Sequence, residues 1–177
     1  PMTRVLDLEK WKRPDLQSFT KTKQNLQHEV AFAKNDLIKK QTQHDLTQFY
    51  FSNGFEAESL GVLSEMVRVE PEYAGDPEYL MMKGAASWMM GRLEDARTDL
   101  NNANLDPYDE ATFWRAAVVA EEGRLPDVAY ELRKTGSITQ PYPKSLKIPT
   151  ALWVAQAAVE LGDVKQAEQY LEVLRVD

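Results

Sequence analysis

Gly54, Gly91, Gly123 and Gly162 stand 32 to 39 residues apart, and each closes one apolar helical stretch and opens another. A period of that size signals tandem repeats in which each unit buries its apolar side against the next. The flanks recur as well: Asn53-Gly54-Phe55-Glu56-Ala57, Gly91-Arg92-Leu93-Glu94-Asp95-Ala96, Gly123-Arg124-Leu125-Pro126-Asp127-Val128 and Gly162-Asp163-Val164-Lys165-Gln166-Ala167. The residue just past a helix end often needs the left-handed conformation, which glycine adopts without a Cβ penalty. An apolar residue two positions on and a small one at plus five, as in Leu93/Ala96 and Val164/Ala167, start a second helix that packs closely on the first. Prolines after Val69-Glu70 and Leu105-Asp106 end two of these second helices.

Four helical hairpins at this spacing resemble the tetratricopeptide repeat (TPR) family, whose unit is about 34 residues. The likeness covers about residues 40 to 177. In the second unit Leu80, Gly84, Gly91, Leu93, Ala96, Leu100, Ala103 and Pro107 fall near the places that the family keeps as Trp, Leu-Gly, Gly, Tyr, Ala, Phe, Ala and Pro. The resemblance implies an all-α, right-handed superhelix of about four hairpins preceded by an N-terminal helix. It also implies a non-catalytic role in holding other proteins.

Composition narrows the rest. Hydrophobic residues make up 43% of the chain, yet no stretch approaches the roughly 18 uninterrupted apolar residues of a membrane span. Direct membrane insertion is therefore not expected. The absence of cysteine excludes disulfides, thiolate metal sites and cysteine nucleophiles. Residues 1 to 53 carry a net +3 and residues 54 to 177 a net −10. An acidic array repels phosphate backbones, so nucleic acid is not expected as a partner. The sequence stops at Leu174-Arg175-Val176-Asp177, inside what should be a second helix, which points to a piece of a longer protein and makes a missing targeting signal uninformative. Leu6-Asp7-Leu8, Trp11, Arg13-Pro14 and the later Phe49-Tyr50-Phe51 with Gly54 resemble the repeat portion of large bacterial envelope proteins. That likeness implies a periplasmic setting, and a cytoplasmic one stays open.

Residues 1 to 14 read as an extended tail or the end of a preceding domain, with Val5, Leu6, Leu8 and Trp11 as its apolar positions. Residues 15 to 36 read as a leading helix with Leu16, Phe19, Leu26, Val30 and Ala33 on its stripe, broken at Asn35-Asp36 because asparagine suits a helix end and aspartate a helix start. The array then occupies 37 to 177, in units near 37–71, 77–107, 109–136 and 149–177. Its helices are expected near 37–53, 56–69, 77–90, 93–104, 109–122, 126–135, 149–161 and 164–175. Residues 137 to 148 read as a loop, since Pro141, Pro143 and Pro149 remove donors and restrict their predecessors. Such a loop serves as a spacer or as a binding loop.

No catalytic constellation is visible. His28 and His44 lie 16 residues apart and do not form the i, i+4 pair of a helical zinc site. Adjacent acids such as Glu94-Asp95 and Glu121-Glu122 point in different directions on a helix. No cofactor is implied. In the family the first helices of successive hairpins line a concave groove. In that register His44, Gln48, Phe51 and Ser52 face it from the first unit, then Met81, Ala85, Trp88 and Met89 from the second. Phe113, Ala117, Ala120 and Glu121 follow, and then Leu152, Gln156, Val159 and Glu160. The wall is apolar and lacks the lysines, arginines and asparagines with which some family members clamp acidic tails. Its expected occupant is an apolar or amphipathic helical segment. Three origins stay open: a protein or peptide partner, the chain's own N-terminal helix, and plain packing between repeats. An oligomerisation module and a regulatory domain of a larger protein are the alternative roles.

Overall fold

The computed structural model describes residues 1–11 and 18–175. Residues 12 to 17, including Leu16 of the leading stripe, lie outside it. The described chain is all helix, and its backbone turns repeat where the glycines repeat. A short α1 (Leu8–Trp11) is followed by α2 (Phe19–Ala31). Four hairpins then succeed one another: α3 (Asp36–Ser52) with α4 (Glu56–Val69), α5 (Pro77–Met89) with α6 (Leu93–Leu100), α7 (Asp109–Glu121) with α8 (Leu125–Thr135), and α9 (Lys144–Glu160) with α10 (Val164–Glu172). The two helices of each hairpin pack on one another and successive hairpins meet through α4 with α5, α6 with α7 and α8 with α9, so the whole is an all-α helical-repeat superhelix.

Gly54, Gly91, Gly123 and Gly162 hold φ at 82°, 72°, 84° and 75°. At each, the following amide reaches back five residues: Phe55 to Tyr50, Arg92 to Ser87, Arg124 to Val119 and Asp163 to Ala158. The glycine amide itself bonds three residues back, so the same Schellman closure is written four times. Two other devices set helix starts. The Asn35 side chain accepts from the Ile38 amide at 2.9 Å and opens α3, and Asp76 accepts from Glu78 at 2.8 Å ahead of Pro77 in α5.

Glycine does a different job at Gly84, where a Cβ would lie 2.4 Å from Leu100 Cγ and 2.6 Å from Cδ2. Leu100 is fully buried, so α5 and α6 approach through that gap. Gly91→Ala meets no neighbouring atom and should cost about 1–2 kcal/mol for the left-handed backbone alone. Gly84→Ala adds a methyl to a closed contact and should cost about 2–3 kcal/mol. Parallel urea melts of the two variants check that order.

Several boundaries differ from the sequence reading: the leading helix ends at Ala31 rather than at 36, and Leu8–Trp11 of the tail form a helical turn. The helix α6 ends at Leu100 rather than near 104, because Arg115 takes the Leu100 and Asn102 carbonyls at 2.6 and 3.1 Å and a 3₁₀ turn (Ala103–Leu105) follows. The stretch 137 to 148 is not a loop throughout. A 3₁₀ turn spans Gly136–Thr139, and α9 begins at Lys144 and runs through Pro149. The proline costs one hydrogen bond near the helix start. The Thr150 hydroxyl donates to the Leu146 carbonyl at 2.6 Å, and Tyr142 and Leu146 are buried in the core. That burial outweighs the local break.

The main core is one cluster running from Phe51 and Leu63 through Met81, Met82 and Trp114 to Leu132 and Val154. A smaller one, with Leu26, Leu46, Phe49 and Tyr50, seats α2 on α3. Phe19 stacks between Phe49 and Phe55 at centroid distances of 5.1 and 4.7 Å, and Gln27 donates to the Tyr50 hydroxyl.

Candidate functional site

The first helices α3, α5, α7 and α9 present the candidate face, and its residues fall into three states. Phe51, Met81, Ala85, Trp88, Phe113 and Ala117 are buried in the main core, as are Ser52 and Ala120. His44, Gln48 and Met89 are half-buried. Leu152, Gln156, Val159, Glu121 and Glu160 are exposed. Trp88 shows why the middle of the wall is closed. Its indole N–H donates to the Ala117 carbonyl at 3.0 Å, and its ring meets Trp114 edge-on at 5.4 Å. Trp114 in turn meets Phe113 edge-on and stacks on Tyr142. Aromatic pairs of this geometry hold helices together.

Two segments of the same chain cover that region. The first is the N-terminus. Leu6, Leu8 and Trp11 are buried in the cluster that holds Phe51, Met81 and Phe113, and α1 packs on α3. Ahead of α1 the backbone is gripped by the first turn of α7. The Thr3 amide donates to Asp109 Oδ2 at 2.8 Å and the Glu110 amide to the Thr3 carbonyl at 3.1 Å. The Val5 and Leu6 amides both donate to Glu110 Oε2, at 2.6 and 3.0 Å. The second segment is the start of α9 with the residues before it. The Tyr142 hydroxyl donates to Glu110 Oε1 at 2.5 Å and accepts from the Trp114 indole at 3.0 Å. A Cβ on Gly54 would lie 2.7 Å from Ser145 Oγ, so the first turn of α9 rests against the turn of the first hairpin.

Glu110 is thus a fully buried carboxyl met by three donors. Burial pushes it above the ordinary carboxylate range, against the pull of those hydrogen bonds. Burial beside it drives the Tyr142 phenol well up. Asp109, on the surface, is held down by its bonds to Thr3.

A polar corner closes the other end of the covered stretch. His44 Nε2 lies 2.5 Å from Glu78 Oε1, and Gln48 donates to the same oxygen at 2.9 Å. Lys10 and Trp11 line a shallow pocket with His44, Gln48, Gln41 and Asp45. The hydrogen bond to Glu78 raises the His44 pKa, and burial only partly opposes it. A raised histidine stabilises the fold while protonated, so this contribution is present below the ordinary histidine pKa of 6.5 and is lost as pH rises through the raised value. We expect His44 to titrate above 6.5 by NMR and Glu78→Gln to bring its midpoint down. An unshifted midpoint in the variant would remove Glu78 as the cause.

Sequence reasoning missed Glu110 and Tyr142, and it left the docking of Leu6, Leu8 and Trp11 as one of two open readings of the leading segment. The alternation Val5, Leu6, Leu8, Trp11 was the one available signal, and it fits a docked tail as well as a strand. Glu110 gave none, since an acid in a helix's first turn is ordinary. Among the described residues, no group of three or more metal-ligating side chains is placed to hold an ion, and no helix is long and apolar enough to cross a membrane.

No protein-family model and no curated protein matches the sequence. Among solved structures the fold is similar to a Podosopora anserina protein described by its nearly identical TPR-like repeats. That structure shares 16% identity at a TM-score of 0.56, with 95% of this chain and 90% of that chain covered. A point variant of the same protein gives 16% identity and a TM-score of 0.57, over 95% and 89% of the two chains. With four Schellman-closed hairpins in succession and these neighbours, the chain has a TPR-like repeat fold.

Proposed function

We propose that the chain is a non-catalytic protein-interaction scaffold, and that its first-helix face takes an apolar or amphipathic helical segment of a partner. The observation that carries this reading is that the face already holds polypeptide. Apolar side chains of residues 1–11 and 140–146 are sunk into it, with backbone amides paired to Glu110. The same face continues uncovered onto α9, where Ile148, Leu152 and Val159 are exposed at 46%, 42% and 63%. Their spacing of four and seven places them on one side of the helix, with Gln156 between them. A partner helix with apolar residues at matching intervals would find its anchors there.

The paired substitution Leu152→Asp and Val159→Asp tests this without touching the core. The variant should keep the wild-type melting temperature and lose the partners that co-purify with the wild-type chain. Retention of the same partners by a folded variant would count against the α9 surface. A second reading, an oligomerisation module, is favoured by Leu161, Val164 and Leu171, which are exposed beside α9 at the last hairpin. Mass that rises with concentration in light scattering would support it.

A further inference from the structure

The grip on the N-terminus is unusual in what it reads. Apart from the Thr3 hydroxyl, which donates to Asp109 Oδ2 at 3.1 Å, the hydrogen bonds of Glu110 and Asp109 to this segment are to its backbone. The two acids bind main-chain N–H groups of Thr3, Val5 and Leu6, while the Glu110 amide binds the Thr3 carbonyl. Backbone pairing of this kind fixes an extended segment in register and leaves identity to the side chains between the pairs. Those side chains are selective here. Leu6, Leu8 and Trp11 are buried at 0%, 2% and 7% exposure, whereas Arg4 before them and Asp7, Glu9 and Lys10 between them stay exposed. The Thr3 hydroxyl adds a bond to the Pro107 carbonyl, at 3.2 Å. The carboxyl that does the reading is committed on both oxygens, the second being held by Tyr142.

Resting on the interaction-scaffold reading, we infer that the α3–α5–α7 part of the face is a peptide site for an extended segment that ends in one helical turn. Its ligand carries a threonine-like hydroxyl, a Val-Leu-x-Leu run and an aromatic residue three positions on, and residues 1–11 occupy the site as an internal copy of that ligand. A partner with this pattern competes with the chain's own N-terminus. The site differs from the α9 surface in what it demands, since α9 offers apolar contacts and the α7 end offers a buried backbone acceptor. A ligand already helical from a full turn before the Val position has its Val- and Leu-position amides paired and cannot satisfy Glu110.

The test uses the full chain and a fluorescent synthetic peptide of residues 1–11. The variant Leu6→Asp with Leu8→Asp drives the internal segment out of the apolar site. The peptide should bind this variant about 30-fold more tightly than it binds the wild-type chain, whose site is occupied. A peptide N-methylated at its Val5 and Leu6 positions should bind the variant at least about 10-fold more weakly than the unmodified one. Equal binding of both peptides would overturn the backbone reading by Glu110 and leave the scaffold reading standing. No binding of either to a variant with wild-type helical circular dichroism would overturn the site itself. Hydrogen exchange on the wild-type chain decides the case even where the variant does not fold. The Val5 and Leu6 amides should exchange about 100-fold faster than the central α7 amides, through opening of the segment alone. Equal protection would make residues 1–11 an integral part of the core and overturn the proposal.

Discussion

Trp114→Ala is expected to destabilise the protein by about 3–5 kcal/mol, the largest effect of any single truncation in this fold. Trp114 is fully buried at the middle of the array. It touches Trp88, Phe113 and Tyr142, at centroid distances of 5.4, 5.4 and 5.8 Å, so one ring joins α5, α7 and the segment leading into α9. Removing it opens a cavity that three separate elements would have to close together, and such sites relax least. The loss is a large share of the roughly 5–15 kcal/mol of a typical domain. Trp114→Phe keeps one ring but gives up the indole donor to Tyr142 and part of the buried ring volume, so it should cost less than the alanine variant, about 2–3 kcal/mol. Urea melts of the two variants check both values. A loss below about 1 kcal/mol for the alanine variant would show that the aromatic stack is not central to the core.

The second large effect is at Glu110. Glu110→Ala leaves the Val5 and Leu6 amides and the Tyr142 hydroxyl without their acceptor, and should cost about 2–4 kcal/mol. The relief of burying a carboxyl offsets part of the loss. Glu110→Gln keeps one acceptor oxygen for the two amides and should cost less. The pH dependence separates the two contributions. Because burial raises the folded-state pKa of Glu110, its share of stability is complete below the ordinary carboxylate pKa. That share declines as pH rises through the raised value. Wild-type stability should therefore fall across that window more steeply than that of Glu110→Gln. Parallel slopes would mean that Glu110 does not titrate there.

The repeat architecture was legible because its signals are local. A residue that must hold a positive φ at a helix end selects glycine whatever the rest of the chain does, and four such glycines mark four hairpins. At the break before α3 the roles fall differently from the sequence reading: Asn35, read as closing the leading helix, is the N-cap of α3, and α2 already ends at Ala31. The face was legible only as a register. Positions such as Phe51, Met81 and Phe113 were assigned to the first helices by their distance from each glycine, and the structure finds them buried under Leu6, Leu8, Tyr142 and their neighbours. Periodicity says which side of a helix is apolar. It does not say what lies on that side, because the bond between Val5 and Glu110 joins residues 105 apart. Pro149 shows the same limit from the other direction. Its local rule forbids a helix interior, and the burial of Tyr142 and Leu146 overrides it. Of the apolar positions on the face, Leu152 and Val159 at its α9 end are the ones that stay exposed.

Crosslinking from the exposed α9 positions tests the scaffold role directly. A photo-crosslinking amino acid placed at Leu152 reports what the first-helix face touches, and the same residue placed at Tyr130 reports an equally exposed position on α8, at 59%. Partner adducts that form from position 152 and not from 130 are the predicted result. Adducts from 130 alone, or equally from both, would contradict a scaffold that works through its first helices.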